Sequence, residues 1–229
     1  MLLFTRCANR QVTLSVQGVD RKRDEYKGCG GTIHMEKTNE KYGAYIQILR
    51  EELIPAMGCT EPIAVAYAAA VARQTLGELP DKVIVGASGS IIKNVKSVIV
   101  PNTDNMKGLN TAAAAGIVAG KPEKELEVIA EVTPEQTEEI KEFLKTAEIT
   151  VEHVENGNTF DIVISVFKDE KSAKVRIANY HTNIVYIEKN GEVLKNIPVR
   201  GEAEDGLTDR NLLNMKDIWD FANTVDIED

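Results

Sequence analysis

The chain has 229 residues, 43% hydrophobic, 28% charged and 5% aromatic, with a net charge of −9. At roughly 100–200 residues per domain this length holds one large domain or two small ones, and its ordinary composition excludes a collagen-like, coiled-coil or disordered chain. The acidic balance speaks against nucleic acid as a partner, since that binding rests on Lys and Arg neutralising phosphates, and no apolar run approaches the roughly 20 residues of a membrane-crossing helix.

Residues 1–34 hold six Lys/Arg against three Asp/Glu, whereas the rest holds 21 against 33. This first segment has no helical or strand period, and its apolar start, Met1 to Phe4, is too short for a secretory signal. It is expected to be a disordered leader, or an extension not native to the domain. Cys29 in Gly28-Cys29-Gly30-Gly31 has no second ligand at metal spacing. Cys7, Cys29 and Cys59 form no CxxC pair, so a reduced, cytoplasmic setting is expected.

Residues 40–54 read as a helix with Tyr42, Tyr45, Ile46, Leu49 and Leu53 on its apolar face, broken by Pro55. Thr60 is expected to cap a second helix, with Glu61 and Pro62 in its first turn. That helix is apolar nearly all round from Ile63 to Ala72, the pattern of a buried helix, and ends by Gly77. Lys82–Val85 and Ile91–Val100, rich in Val and Ile, read as strands. A polar loop, Pro101 to Gly108, leads to a small-residue helix, Thr111–Ala119. Pro122–Ile129 fits helix or strand. Thr133-Pro134-Glu135-Gln136 is a capping box for a helix to about Ala147. Strands are expected at Ile149–Val154, Phe160–Phe167, Lys174–Ala178, Ile184–Ile187 and Glu192–Leu194, with hairpin turns at Asn156-Gly157 and Asn190-Gly191. After an acidic linker, Asn211–Thr224 reads as a last helix with Leu212, Leu213, Ile218, Trp219 and Phe221 on its apolar side.

The order gives an α+β fold: short helical segments flank a β-rich, sandwich-like domain. The expected parts are the leader (1–34), a helical segment carrying Cys59 (35–80), an inserted α+β domain (81–200), and a linker with the start of a further helical region (201–229). A helical unit of about 30 residues cannot bury enough surface alone. Either the two helical pieces pack together, or an all-α catalytic region is largely missing.

Three segments carry candidate chemistry. Pro55-Ala56-Met57-Gly58-Cys59-Thr60-Glu61-Pro62 places a thiol just before a helix N-terminus, where N–H groups and the helix dipole favour anions. Such a thiol suits a nucleophile or metal ligand. The competing reading is a small buried hydrophobe. Asn102, Thr103 and Lys107, before another helix, together with Ser88 and Ser90, offer donors for a carboxylate; as turn and cap residues they need no function. Asn179-Tyr180-His181-Thr182-Asn183 joins two strands, and His181 could move a proton, or be a surface turn. Neither His34 nor His153 is assigned a role.

With these residues in view, Glu51-Glu52-Leu53-Ile54-Pro55-Ala56-Met57-Gly58-Cys59-Thr60-Glu61-Pro62-Ile63-Ala64-Val65-Ala66, supported by Val100-Pro101-Asn102-Thr103, Lys107-Gly108 and His181-Thr182-Asn183-Ile184, resembles the serine dehydratase alpha-chain-like family that includes L-cysteine desulfidases. The resemblance covers about residues 40–225. It implies an iron–sulfur-dependent carbon–sulfur or carbon–oxygen lyase, taking L-cysteine to pyruvate, ammonia and sulfide by β-elimination, or L-serine by the same route. It implies a [4Fe–4S] cluster with Cys59 as a ligand and His181 as the available imidazole. Thr60, Glu61, Ser88, Ser90, Asn102, Thr103, Lys107, Thr182 and Asn183 would bind the amino-acid substrate. The family's other cluster cysteines lie in a helical region beyond the matched stretch. The lyase is therefore expected to be incomplete here, inactive alone and partnered by a C-terminal half or second chain, with a homo-oligomer also open. A non-catalytic small-molecule-binding module is the alternative.

Overall fold

The computed structural model describes residues 35–155, 157–199, 207–226 and 228–229. The expectations for residues 1–34, for Asn156 and for most of the acidic linker lie outside the described residues. The fold is α+β, with a six-stranded mixed sheet and six α-helices among the described residues.

Helix α1 (Glu40–Glu52) starts at Asn39, whose side chain accepts from the Lys41 N–H. It buries Tyr42, Tyr45 and Ile48. Leu49 and Leu53, expected on the buried face, are exposed, because the neighbour that α1 packs against meets only the tyrosine side. Helix α2 (Thr60–Leu76) begins one residue earlier than expected. Cys59, not Thr60, is the N-cap, and its side chain makes no capping hydrogen bond. The expected burial all round holds: residues 62–72 are buried without exception.

Strand β1 (Lys82–Ala87) follows. The expected strand Ile91–Val100 is corrected. Gly89–Val95 forms helix α3, and only an isolated bridge, Ile99 with Lys107, remains of β structure there. The β-branched composition pointed to a strand. Packing decides otherwise: Ile91 and Val95, four apart, are buried while Lys93 and Asn94 between them are exposed. Helix α4 (Gly108–Ala119) is followed by a 3-10 turn, Pro122–Glu127, and by α5 (Pro134–Thr146), whose Thr133/Gln136 capping box is formed on both sides.

Strands β2 (Glu148–His153), β3 (Asp161–Lys168), β4 (Lys171–Ala178), β5 (Ile184–Lys189) and β6 (Glu192–Asn196) complete the sheet in the order β2-β1-β3-β4-β5-β6. β1 and β2 are parallel, with α3–α5 in the crossover. β1 is antiparallel to β3, and β3 to β6 form an antiparallel meander. The expected hairpin at Asn156-Gly157 is corrected: β2 and β3 flank β1 on opposite sides, so the segment between them joins no paired strands. Asn190-Gly191 does join paired strands, both residues at positive φ, as a two-residue turn requires.

One sheet face is closed by α2, which lies across β3, β4 and β5 and packs on α4. Val83, Val85, Ile162, Ile164, Val166, Val175 and Ile177 are buried there. Lys174 and Arg176, on alternate positions, are half-buried, the alternation of an antiparallel sheet with one solvated side. The helices approach closely because their facing residues are small. A Cβ added to Gly116 of α4 would lie 2.0 Å from the Ala66 carbonyl oxygen of α2.

A 3-10 turn (Arg210–Leu212) and helix α6 (Met215–Thr224) come last. α6 runs antiparallel to α1: Lys41 pairs with Asp217, Tyr45 donates to the Leu212 carbonyl, and Glu51 holds Arg210 at 2.7 Å. Met35, Tyr42, Tyr45, Ile48 and Phe221 form a small core separate from the main one. Of the apolar side expected for this helix, only Phe221 is buried. Ile218 and Trp219 are 38% and 70% exposed.

Candidate functional site

The end of α1 turns through Pro55 to Gly58 into the start of α2. Here the backbone N–H of Met57 donates to the Leu126 carbonyl at 3.4 Å, and Gly58 lies so close to Pro101 that an added Cβ would stand 3.4 Å from its ring. These contacts fix the approach to the α2 N-terminus. Cys59 is exposed, which removes the reading of it as a buried hydrophobe. Its thiol donates to a Glu61 carboxylate oxygen at 3.1 Å. The Asn94 amide of α3 reaches the other oxygen at 3.5 Å.

The Asn179–Asn183 loop between β4 and β5 comes to the same place. Its shape is local: Asn179 adopts positive φ, and the Asn183 side-chain amide donates to the Ala178 carbonyl at 2.9 Å. Phe160, packed against the main core, meets the His181 ring edge-on with centroids 4.5 Å apart. Burial holds the His181 pKa below its ordinary 6.5, and the attraction of Glu61 offsets this only in part. For Glu61, burial pushes upward, but hydrogen bonds from Cys59 and the backbone and the nearby His181 outweigh it and hold the carboxyl below its ordinary 4.5. At neutral pH the pair is therefore an ionised carboxylate beside a neutral imidazole, one able to accept a proton.

Thr60, His181 and Thr182 line a cavity of about 920 Å³ whose far wall is Glu51, Glu52 and Leu207 of the α1–α6 unit. This is the size of a small-molecule site. Arg210 pairs with both Glu51 and Glu52 along that wall.

The other expected donors do not converge here as donors. The Ser88 hydroxyl is buried and donates to the Thr159 carbonyl at 2.7 Å. Thr103 is fully buried and donates to the Val100 carbonyl at 2.8 Å. Asn102 donates to the Ile129 and Ala130 carbonyls. These three shape loops. Ser90 and Lys107 are exposed, in the first turn of α3 and at the N-cap of α4. Sequence reading missed Asn94 and Phe160. Asn94 sits in the segment read as a strand, and Phe160 carries no signal beyond its place as the first residue of an expected strand.

A four-iron cluster calls for several thiolates. Among the described residues no group of three His, Cys, Asp or Glu could hold a metal ion. The described residues by themselves do not supply such a donor set, and the Cys59 thiol donates to the Glu61 carboxylate. No helix among the described residues is long and apolar enough to cross a membrane.

Comparison with known proteins places the chain beside UPF0597 proteins. It is 50% identical over 197 residues to one from Desulfitobacterium hafniense (strain Y51), covering 86% of this chain and 46% of that protein. It is 43% identical over 196 residues to one from Treponema denticola, covering 85% of this chain and 46% of that protein. A third, from Fusobacterium nucleatum subsp. nucleatum, is 45% identical over 185 residues, covering 80% and 43%. The chain spans about half the length of the curated relatives it matches. No family model matches, and no solved structure matches. These names overturn the resemblance to the serine dehydratase alpha-chain-like family and the desulfidase and iron–sulfur descriptors attached to it: the relatives carry a different family name, one that states no such activity.

Proposed function

We propose that the cleft at the α2 N-terminus binds a small α-amino acid and supplies acid–base groups for loss of its β-substituent. L-cysteine and L-serine are the substrates to test. The observation that carries this reading is the meeting of three proton-carrying groups of different kinds, the Cys59 thiol, the Glu61 carboxylate and the His181 imidazole, at one helix start. The α2 N–H groups suit the substrate carboxylate, and the acidic Glu61 suits its ammonium. His181, neutral at pH 7, takes the α-proton. The electron pair left on Cα forms the Cα–Cβ double bond, and the β-sulfur or β-oxygen departs with its bonding pair. That leaving atom gains a proton from the Cys59 thiol. The enamine so formed hydrolyses to pyruvate and ammonia.

The α-proton of a free amino acid is too weakly acidic for an imidazole alone. The leaving group must be polarised by a part of the protein outside the described residues, so the described residues bind substrate without by themselves turning it over. The test is a pyruvate assay on a protein of the relatives' full length, carrying this chain's sequence over the matched stretch. His181→Gln is expected to lower kcat by at least about 100-fold with a small change in KM, and Glu61→Gln to raise KM. Wild-type kcat in His181→Gln would remove the assignment. The second reading, a binding module without catalysis, rests on the cavity of about 920 Å³ alone and would be supported by tight amino-acid binding with no pyruvate from the full-length protein.

A further inference from the structure

The α1–α6 pair is underpacked for a unit of its size. Helices of 13 and 10 residues share four buried side chains, joined by Met35 from before α1, and this core is separate from that of the sheet. A unit so small does not hold together by its own apolar burial. Its unused apolar surface is ordered. Met215, Ile218 and Trp219 recur at three and four residues along α6 and are 82%, 38% and 70% exposed. Leu49 of α1 and Leu53 at its C-cap are 42% and 70% exposed. Exposed apolar side chains at helical spacing form a docking stripe rather than scattered surface residues.

What covers the stripe follows from the relatives. In the Desulfitobacterium and Treponema proteins more than half of the length lies outside the matched stretch, which is 46% of each. We propose that the Met215/Ile218/Trp219 face of α6 is the docking surface for this further stretch of chain, present in the same polypeptide or supplied by another. The docking segment presents an apolar face and, once seated, closes the open side of the α1–α6 unit beside the Glu51–Glu52–Leu207 wall of the cavity. This inference stands apart from the chemistry assigned to the cleft, because its readout is docking and not turnover.

Trp219 is the chain's single tryptophan and reports directly. The experiment compares this chain with a fusion to the unmatched portion of the Desulfitobacterium relative, joined in that relative's own order and with any tryptophan of that portion replaced by Phe. In the chain alone, Trp219 emission is expected at the red, water-exposed position and fully open to iodide quenching. In the fusion it shifts to the blue and quenching falls. Equal quenching in a folded fusion overturns the proposal, as does a blue shift of the chain alone that grows with its concentration, which would assign the face to a second copy. If the fusion is insoluble, the two portions are co-expressed with a tag on one. Copurification that weakens at least about tenfold in Ile218→Ser and in Trp219→Ser supports the proposal, and no copurification overturns it.

Discussion

The electrostatic pairing of Glu61 with His181 makes a signed prediction for one residue from another. The carboxylate raises the imidazole pKa against the larger effect of burial. Glu61→Gln removes the raising partner, so the His181 midpoint, already below 6.5, moves further down. The measurement is the pH dependence of the His181 ring-proton shifts in wild type and variant. An upward shift contradicts the arrangement. A second residue-scale prediction concerns Asp161, fully buried at the start of β3. It takes two hydrogen bonds from Arg176, at 3.0 and 2.6 Å, and one from Asn158 at 2.9 Å. Arg176→Met removes the cationic partner of that buried carboxylate and should cost about 3 kcal/mol, read from urea unfolding. Site residues were legible in the sequence to the extent that their chemistry is local. The Cys59–Glu61 and His181–Asn183 stretches announce themselves by type and neighbours. Asn94 does not, because the group it meets is 33 positions away, and Asn102 and Thr103 were read as ligand donors when their polar atoms are committed to nearby carbonyls.

At the scale of elements, the α2–α4 crossing is the most tightly specified contact. Gly116 of α4 abuts the Ala66 backbone of α2, and Ala112 to Ala115 beside it are buried. Gly116→Ala forces a methyl into the Ala66 backbone and should destabilise by about 3 kcal/mol, the upper range for overpacking; a loss under about 0.5 kcal/mol in thermal or urea unfolding would mean the helices are not this close. Such helices were readable because an all-round apolar run has one outcome, burial. The Thr133 capping box and the Asn190-Gly191 turn were readable because their hydrogen bonds close within a few residues. Helix α3 was not. Ile91, Ile92, Val95 and Val98 satisfy a strand by composition, and only the position of the core on one side selects the four-residue spacing of Ile91 and Val95. The same limit explains Trp219: the periodicity marks an apolar helix face without saying which part of it a neighbour covers.

At the scale of the molecule, two bodies with separate cores meet around one cavity, held by Glu51. Its carboxylate accepts from the Arg210 guanidinium at 2.7 Å and from the Thr208 N–H and hydroxyl. Arg210 above all holds its pKa down, from 4.5 to about 2. A depressed carboxylate stabilises the folded arrangement above its unfolded pKa and loses that effect as pH falls through the folded value. The link between α1 and the 207–212 segment is therefore intact at neutral pH and lost between about 4.5 and 2. Glu51→Gln should weaken it at pH 7, seen as faster amide exchange in α6 with the sheet unchanged. Faster exchange spread through the sheet would place Glu51 in the main fold instead. The segregation of the two cores was only half legible: the two helical pieces and the β-rich middle were readable from their patterns, whereas the attachment of α2 to the sheet and of α1 to α6 is long-range packing that no local pattern encodes.

The central claim is that an amino acid sits among Cys59, Glu61 and His181. The most direct measurement is a titration of the 229-residue chain with L-serine, followed by the His181 ring signals and the backbone amides of Gly58, Cys59, Thr60 and Glu61. Saturable shifts at both the α2 start and His181, much weakened in Glu61→Gln and unaffected by Lys107→Ala, are the predicted result. Shifts confined to Ser90 and Lys107, or none at millimolar L-serine and L-cysteine, would contradict the site.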